Sequence, residues 1–156
     1  MTAVGTLEDL LPHRPPMTLI DDIVSFDVAS RSLTAHVTIG RDQLFFDTDG
    51  VPNWVAIEYM AQTAAALAGS WDRIESPDRP ARPGLLLGTR KLDLRLEKFE
   101  DGRTYLITAV SAFNDADAAS FECTIRTEDG TVVATAALNA YRPPNFEQFL
   151  KEQAET

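Results

Sequence analysis

The sequence is poor in the residues that disulfide-bonded, metal-binding or membrane-spanning proteins need. Its 156 residues include one cysteine, Cys123, and two histidines, His13 and His36. One cysteine cannot form an intramolecular disulfide, and neither histidine has further ligand-type residues at metal-site spacing. No segment approaches the roughly 18 uninterrupted apolar residues of a membrane-spanning helix. We therefore expect a cytoplasmic protein with no membrane span, no metal and no other cofactor.

Basic residues are also scarce. The chain has 14 lysines and arginines against 24 acidic residues, a net charge of -10, so it repels nucleic acid as a whole. The basic residues between positions 79 and 95 either form a local patch or are separate solvated charges. They are Arg79, Arg82, Arg90, Lys91 and Arg95. The common nucleotide-binding and serine hydrolase motifs are missing too, so we expect neither of these sites.

Hydrophobic periodicity predicts one long helix among six strands. Residues 51–69 are apolar on nearly every side, so this helix should be buried. Pro52 suits its first turn and Gly69 its end, which leaves 70–84 as a loop. Alternating patterns predict strands at 17–26, 32–39, 85–96, 104–114, 118–128 and 131–141. Short helical segments are predicted at 6–11, capped by Thr6, and in the amphipathic tail at 145–156.

These elements predict an α+β fold. A helix that is apolar nearly all round needs a curved sheet that wraps it, and six strands in one antiparallel sheet can do so. A doubly wound parallel fold would need more helices than this chain has. The length suits a single domain over residues 1–156.

Few polar residues interrupt the apolar helix. Glu58 and Gln62 are four residues apart and share a face. A carboxylate in apolar surroundings suits general acid or base catalysis near neutral pH, although a structural hydrogen bond would also explain it. His13, which lies between prolines, is the candidate for a second proton-transfer group, but the sequence alone does not bring it to Glu58. His36 alternates with apolar residues and should face solvent.

Two segments resemble the β-hydroxyacyl-acyl carrier protein dehydratases. LPHRPPMTLIDDIV at 11–24 is similar to the start of that family, and VPNWVAIEYMAQTAAALAG at 51–69 is similar to its central helix. In this resemblance Glu58 falls on the catalytic glutamate and Gln62 on a glutamine that follows it. With 42–46 and 88–96 included, the resemblance covers most of the chain from Leu10 to Tyr141.

The resemblance implies a hotdog fold, a curved sheet around one central helix. It also implies an acyl thioester substrate carried on acyl carrier protein or coenzyme A. Family members are dimers that join two sheets and build each acyl tunnel from both subunits. The partner would be a second copy or another hotdog subunit.

This chain departs from the family before the central helix. The family carries a catalytic histidine in a His-Phe-Pro-Gly run, whereas here FFDTDG at 45–50 leads directly to VPN at 51–53. The family's Pro-Gly is Pro52–Asn53. This pattern is most similar to shortened dehydratase-like proteins linked to aryl polyene and polyketide-like lipid biosynthesis.

Three functions are compatible with these residues. The first is dehydration of 3-hydroxyacyl-acyl carrier protein to the trans-2-enoyl form, with Glu58 and His13 as proton-transfer groups. The others are a non-catalytic partner subunit of another hotdog dehydratase and a hotdog thioesterase that depends on Glu58. The helix start should offer unpaired amides to a thioester carbonyl, and aromatic residues either line the tunnel or pack in the core. The candidate substrate-binding residues are Pro52, Asn53, Trp54, Gln62 and Phe46.

Overall fold

The computed structural model describes residues 5–78, 80–115 and 117–155, without the side chain of Asn114. Arg79, one of the basic residues considered above, lies outside the described residues.

Six strands form one antiparallel sheet, as predicted. Its strands lie in the spatial order β1, β2, β6, β7, β8, β4. Their bounds are β1 Asp22–Asp27, β2 Ser32–Thr38, β4 Leu85–Leu94, β6 Thr104–Asn114, β7 Ala118–Thr127 and β8 Val132–Tyr141. The two edge strands are therefore β1 and β4.

The first strand is shorter than predicted. The alternating pattern begins at residue 17, but β1 begins at Asp22. Residues 17–19 lie outside the ladder because the carbonyl of Met17 and the amide of Leu19 bond instead to the Gln62 side chain. This side-chain tether holds the chain against the central helix.

The central helix α2 spans Ala56–Glu75, so the prediction of 51–69 was wrong at both ends. Gly50–Pro52 form a short strand, β3, which pairs with β5 at Lys98–Glu100, and a 3-10 turn over Asn53–Val55 follows. A Cβ at Gly50 would lie 2.2 Å from the Phe99 carbonyl oxygen, so the pairing requires glycine there. A second, two-stranded sheet thus replaces the predicted first turn of the helix.

Gly69 does not end the helix. A Cβ at this position would lie 2.4 Å from the carbonyl oxygen of Leu10, so the glycine allows a close crossing of the N-terminal segment over α2. The helix continues to Glu75, and the predicted loop at 70–84 begins only at Ser76.

The two terminal helices are short. Helix α1 spans Leu7–Leu10, and Thr6 and Asp9 form a reciprocal capping box at its start. Helix α3 spans Phe146–Ala154 within the predicted tail, and the Asn145 side chain caps it by accepting from the Gln148 amide. The cap at Thr6 is the one that the sequence predicted.

The hydrophobic core lies between α2 and the large sheet. Fully buried side chains of the core include Met60 and Leu67 of α2, Leu33 of β2, and Ile107 and Ile125 of β6 and β7. One antiparallel sheet packed around one central helix is the hotdog fold, so the fold prediction is confirmed.

Candidate functional site

The first part of the candidate site is a turn of chain after α1. Leu11 is fully buried, which anchors the turn. The Arg14 guanidinium closes it, donating from Nη1 to the carbonyl oxygens of Leu11 at 2.9 Å and His13 at 2.8 Å. His13 is therefore held at the surface of α2, and 30% of its side chain is exposed.

Gln62 is fully buried in α2 and ties the next residues to the helix. Its Oε1 accepts from the Leu19 amide at 2.8 Å, while its Nε2 donates to the Met17 carbonyl at 2.8 Å and to Glu58 Oε1 at 2.9 Å. Because a backbone amide can only donate, the bond from Leu19 defines which end of the Gln62 amide carries oxygen. Gln62 thus positions both the segment after His13 and the Glu58 carboxylate. Its role in binding substrate stays a prediction.

His13 and Glu58 lie side by side. His13 Nε2 is 3.7 Å from Glu58 Oε1, a distance too long for a hydrogen bond, so both groups keep capacity to bond a third molecule. His13 Nδ1 is buried and has no hydrogen-bond partner among the described residues. Glu58 is 36% exposed, so it lies in a cleft and not in the fully apolar surroundings that its place in the helix suggested. The structure brings the two candidate proton-transfer groups together, and their catalytic role stays a prediction.

An apolar cavity of about 160 Å³ begins at these two side chains. One wall is a row of alanines on α2, whose small side chains leave space between the helix and the sheet. Phe121 of β7 and Leu138 of β8 line the cavity from the sheet, and Arg82 and Arg142 also line it. The alanines are Ala61, Ala64, Ala65 and Ala68. This shape suits a hydrocarbon chain with a reacting group near Glu58.

Asn53 does not have the free backbone amide that we expected. Its amide donates to the carbonyl of Glu97 at 3.2 Å, and its side-chain Nδ2 donates to the carbonyl of Leu96 at 2.9 Å. Pro52 beside it lies in β3 and has no amide proton. The expectation of an unpaired amide at Asn53 was therefore wrong for this chain, because the pairing of β3 with β5 extends into the 3-10 turn.

The two aromatic candidates also lie away from the cavity. Trp54 is 56% exposed and packs edge to face with Phe45, with ring centroids 5.4 Å apart. Phe46 is half-buried and packs against the core. Neither lines the cavity at Glu58, whereas Phe121 does. A substrate-binding role for Pro52, Asn53, Trp54 and Phe46 stays a prediction.

Two arginines of the cavity were not among the predicted site residues. Arg82 appeared only as a member of a basic stretch, and Arg142 follows the last strand with no motif around it. The alanine row was visible in the sequence, because residues 61, 65 and 68 continue the face of Glu58 at helical spacing. The other residues that line the cavity come from strands far away in the sequence, so no local sequence pattern predicts them.

Within the described residues, no group of three or more His, Cys, Asp or Glu side chains is placed to hold a metal ion. His36 lies in β2 on the face opposite the buried Ala35 and Val37, but it is half-buried and its Nδ1 atom is buried, so it faces solvent only in part. Nor is any described helix long and apolar enough to cross a membrane.

A family model described as ApeP-like, ApeP dehydratase, matches residues 5–151. The chain belongs to the ApeP-like dehydratase family. It is similar in structure to the dehydratase heterocomplex ApeI:P from Xenorhabdus doucetiae, with a TM-score of 0.84 and 30% identity over 94% of this chain and 96% of that chain. The chain is therefore a dehydratase-like hotdog protein.

Curated relatives match a shorter region. The 3-hydroxyacyl-[acyl-carrier-protein] dehydratase FabZ of Chlamydia pneumoniae is 35% identical over 94 residues, which are 57% of this chain and 60% of the relative. The match therefore spans less than two thirds of that relative's length. A Streptococcus mutans protein, smu.793, bound to acetyl CoA, shares the fold at a TM-score of 0.63 and 13% identity, over 85% of this chain and 95% of that one.

Proposed function

We propose that this ApeP-like chain acts in the dehydration of 3-hydroxyacyl thioesters to trans-2-enoyl thioesters. The approach of His13 Nε2 to Glu58 Oε1, at 3.7 Å and at the start of an apolar cavity, carries this proposal. Family membership supports it, because the matching family is described as a dehydratase.

The reaction needs one base and one acid, and the pair provides both. One group takes the proton from the carbon next to the thioester carbonyl, and that electron pair forms the new double bond. The bond to the 3-hydroxyl oxygen breaks as the other group protonates it, and water leaves. The fixed donation from Gln62 to Glu58 Oε1 leaves Oε2 free to exchange this proton.

The carrier of the acyl chain is part of the same proposal. Arg90 and Lys91 are exposed on β4 and offer positive charge to an acidic acyl carrier protein. This basic patch has fewer free charges than the five basic residues at 79–95 suggested. Arg82 lies 3.5 Å from Asp72, and Arg95 pairs with Asp93 at 2.8 Å. We propose a carrier-protein thioester as substrate and place the reaction in the cytoplasm.

A partner subunit is the second candidate function, and the edge strand β4 favours it. Among the described residues β4 pairs only with β8, so its other edge is free to add a strand. Leu86, Leu87 and Leu92 are exposed along it, with Leu87 at 66%. We propose that β4 joins the sheet of a second hotdog subunit, either a copy of this chain or a different dehydratase. The similarity to a dehydratase heterocomplex supports the second alternative.

One experiment separates these functions. The purified chain is incubated with 3-hydroxyacyl-acyl carrier protein, alone and with a complete dehydratase, and products are followed by mass spectrometry. Glu58→Gln and His13→Ala are compared with the control variants Glu97→Gln and His36→Ala, which lie outside the cavity. Loss of one proton-transfer group lowers the rate by a factor on the order of 100 to 10,000, whereas the controls should keep wild-type rates.

Each result has a distinct meaning. Enoyl product from the chain alone, lost in both site variants only, supports the dehydratase. A chain that is inert alone, with a complex that tolerates Glu58→Gln and His13→Ala, refutes the catalytic proposal and supports the partner subunit. Release of free acid without enoyl product indicates a thioesterase instead.

A further inference from the structure

The outer face of the large sheet, which points away from α2, carries a row of threonines. The strand register places them side by side on β2, β6, β7 and β8, and each is half-buried. They are Thr34, Thr108, Thr124 and Thr135. The hydroxyls of Thr34 and Thr108 are 2.8 Å apart and bond each other. Because threonine is short, the row forms a shallow strip across the middle of the face.

Two opposite charges flank this row on β7. Glu122 lies two residues before Thr124 and Arg126 two residues after it, so the three side chains share the outer face. Glu122 and Arg126 are the only acidic, lysine or arginine residues in β2, β6, β7 and β8, in a chain of net charge -10. Both are exposed, and neither forms an ion pair with another described residue. Residues four apart along a strand are separated by roughly 13 Å, so the two charges cannot meet within one chain.

Apolar side chains lie beside these charges on β6. The register places Leu106 opposite Arg126 and Val110 opposite Glu122. Leu106 is half-buried, whereas Val110 is 36% exposed and Phe113, further along the same face, is 57% exposed. Covering this face would therefore remove apolar surface from water, which favours association.

The pattern on the outer face is complementary to itself. In a face-to-face pair whose two-fold axis runs along the threonine row, each strand lies over its own copy and runs in the opposite direction. Glu122 of each copy then faces Arg126 of the other, and Leu106 faces Val110 in the same way. A two-fold interface has to match itself in this manner. Stacked sheets lie about 10 Å apart, a gap that the long side chains of glutamate and arginine can bridge together.

The face is large enough for a weak pair. Four strands about 4.8 Å apart, over the roughly 30 Å from Thr104 to Phe113, cover roughly 600 Å² per copy. A standard interface buries about 800 Å² per partner. We therefore expect association at micromolar concentration.

We infer that the outer face of the large sheet binds the same face of a second copy of this chain, through reciprocal Glu122–Arg126 pairs on either side of the threonine row. The cavity at Glu58 lies between the sheet and α2, on the opposite side of the sheet, so this contact leaves it open. The edge of β4 also stays free, so the face-to-face pair can form between assemblies already joined at β4. The inference does not depend on the proposed function, and its failure leaves that proposal unaffected.

Sedimentation velocity of the purified full chain, over concentrations that bracket the micromolar range, tests the inference. Glu122→Arg sets two guanidinium groups against each other at both symmetric positions, and Arg126→Glu does the same with carboxylates. Either variant should raise the Kd of the face-to-face pair by at least about 100-fold, because like charges held across an interface repel strongly. The double variant Glu122→Arg/Arg126→Glu restores opposite charges, so its Kd should return to within about 5-fold of wild type.

The controls match the change in charge. Glu97→Arg and Arg41→Glu alter the net charge by the same amounts at exposed positions outside the face, and both should associate as wild type does. An unchanged melting temperature of each face variant verifies that it is folded. Recovery in the double variant separates a contact between Glu122 and Arg126 from a loss of stability, which a second substitution would not repair.

Association that both single variants lose and the double variant recovers supports the inference. A wild type that stays a single chain, or that associates regardless of both charge reversals, overturns it, and any assembly then uses another surface such as β4. Equal weakening in the single and double variants also overturns it, since the two charges then have no mutual contact. If wild type does not self-associate but Arg126→Glu weakens the binding of acyl carrier protein, the face binds the acidic carrier instead.

Discussion

Replacing Gln62 by leucine should destabilise the protein by disconnecting the N-terminal segment from α2. Gln62 is fully buried, and its amide makes three hydrogen bonds, to Leu19, Met17 and Glu58. Leucine has a similar size, so it fills the space but bonds none of these groups. The effect then comes from the groups that are left without a partner.

The three bonds contribute unequally. The Leu19 amide lies in a buried bond, and leaving such a donor unsatisfied costs about 1–3 kcal/mol. The Met17 carbonyl and the Glu58 carboxylate are partly exposed, so water can replace Gln62 there and each loss is nearer about 1 kcal/mol. The leucine side chain buries additional apolar surface, which offsets part of this cost. The free energy of unfolding should therefore decrease by about 2–4 kcal/mol.

The assay is equilibrium unfolding in urea, with thermal unfolding as a second measurement. For a chain of this length about 2–4 kcal/mol corresponds to a decrease in Tm of roughly 5–12 °C. Gln148→Leu is the matched control, because Gln148 lies in α3 and bonds Glu152 at the surface. Its effect should stay within about 0.5 kcal/mol.

The result that refutes this reasoning is a Gln62→Leu variant as stable as the control. It would mean that residues 17–19 find other partners, and that Gln62 does not hold the His13 segment in place. A variant that is destabilised as expected, yet keeps the wild-type dehydration rate, would separate the structural role of Gln62 from any role in the reaction.

Two further predictions concern single positions outside the site. Gly69→Ala should destabilise the protein by about 1–3 kcal/mol in urea unfolding, because the new methyl group overlaps the Leu10 carbonyl. This clash outweighs the higher helix propensity of alanine. The control Gly88→Ala should not destabilise the protein, because the space around Gly88 is open. Equal stability of both variants would contradict the close crossing. A hydrogen bond from the Thr127 hydroxyl holds the pKa of Asp129 at about 2, below its unfolded value of about 3.9. The ionised Asp129 carboxylate therefore stabilises the protein above about pH 4, and this stabilisation is lost as the pH falls through about 2. The Tm difference between wild type and Asp129→Ala should disappear at that low pH. A Tm difference that is independent of pH would contradict this prediction.

The local pattern of side chains predicted which elements form and which of them is buried. Alternation with period two identified the six strands of the large sheet, and the nearly uniform apolar character of 51–69 identified a helix that must be wrapped. Thr6 predicted the cap of α1 because a cap depends only on residues within one turn. The resemblance then supplied the hotdog fold, together with the carrier-bound thioester and the catalytic role of Glu58, which stay predictions.

The ends of the central helix could not be predicted in this way. Glycine and proline at its start and glycine near its end have the composition of helix caps. In the structure Gly50 is needed for the pairing of β3 with β5, and Gly69 for the crossing of α1. A glycine that allows close contact and one that ends a helix look the same in a sequence.

The sequence by itself thus determined the six strands of the large sheet, the presence of one buried helix and the pair of candidate groups, His13 and Glu58. Only the tertiary structure decided that these two lie 3.7 Å apart, because the distance depends on the Gln62 tether between segments 43 and 45 residues apart. It also decided that Arg82 and Arg142 meet Asp72 at the cavity. Contacts of this kind join residues that are far apart in the chain, so no local periodicity of the sequence predicts them.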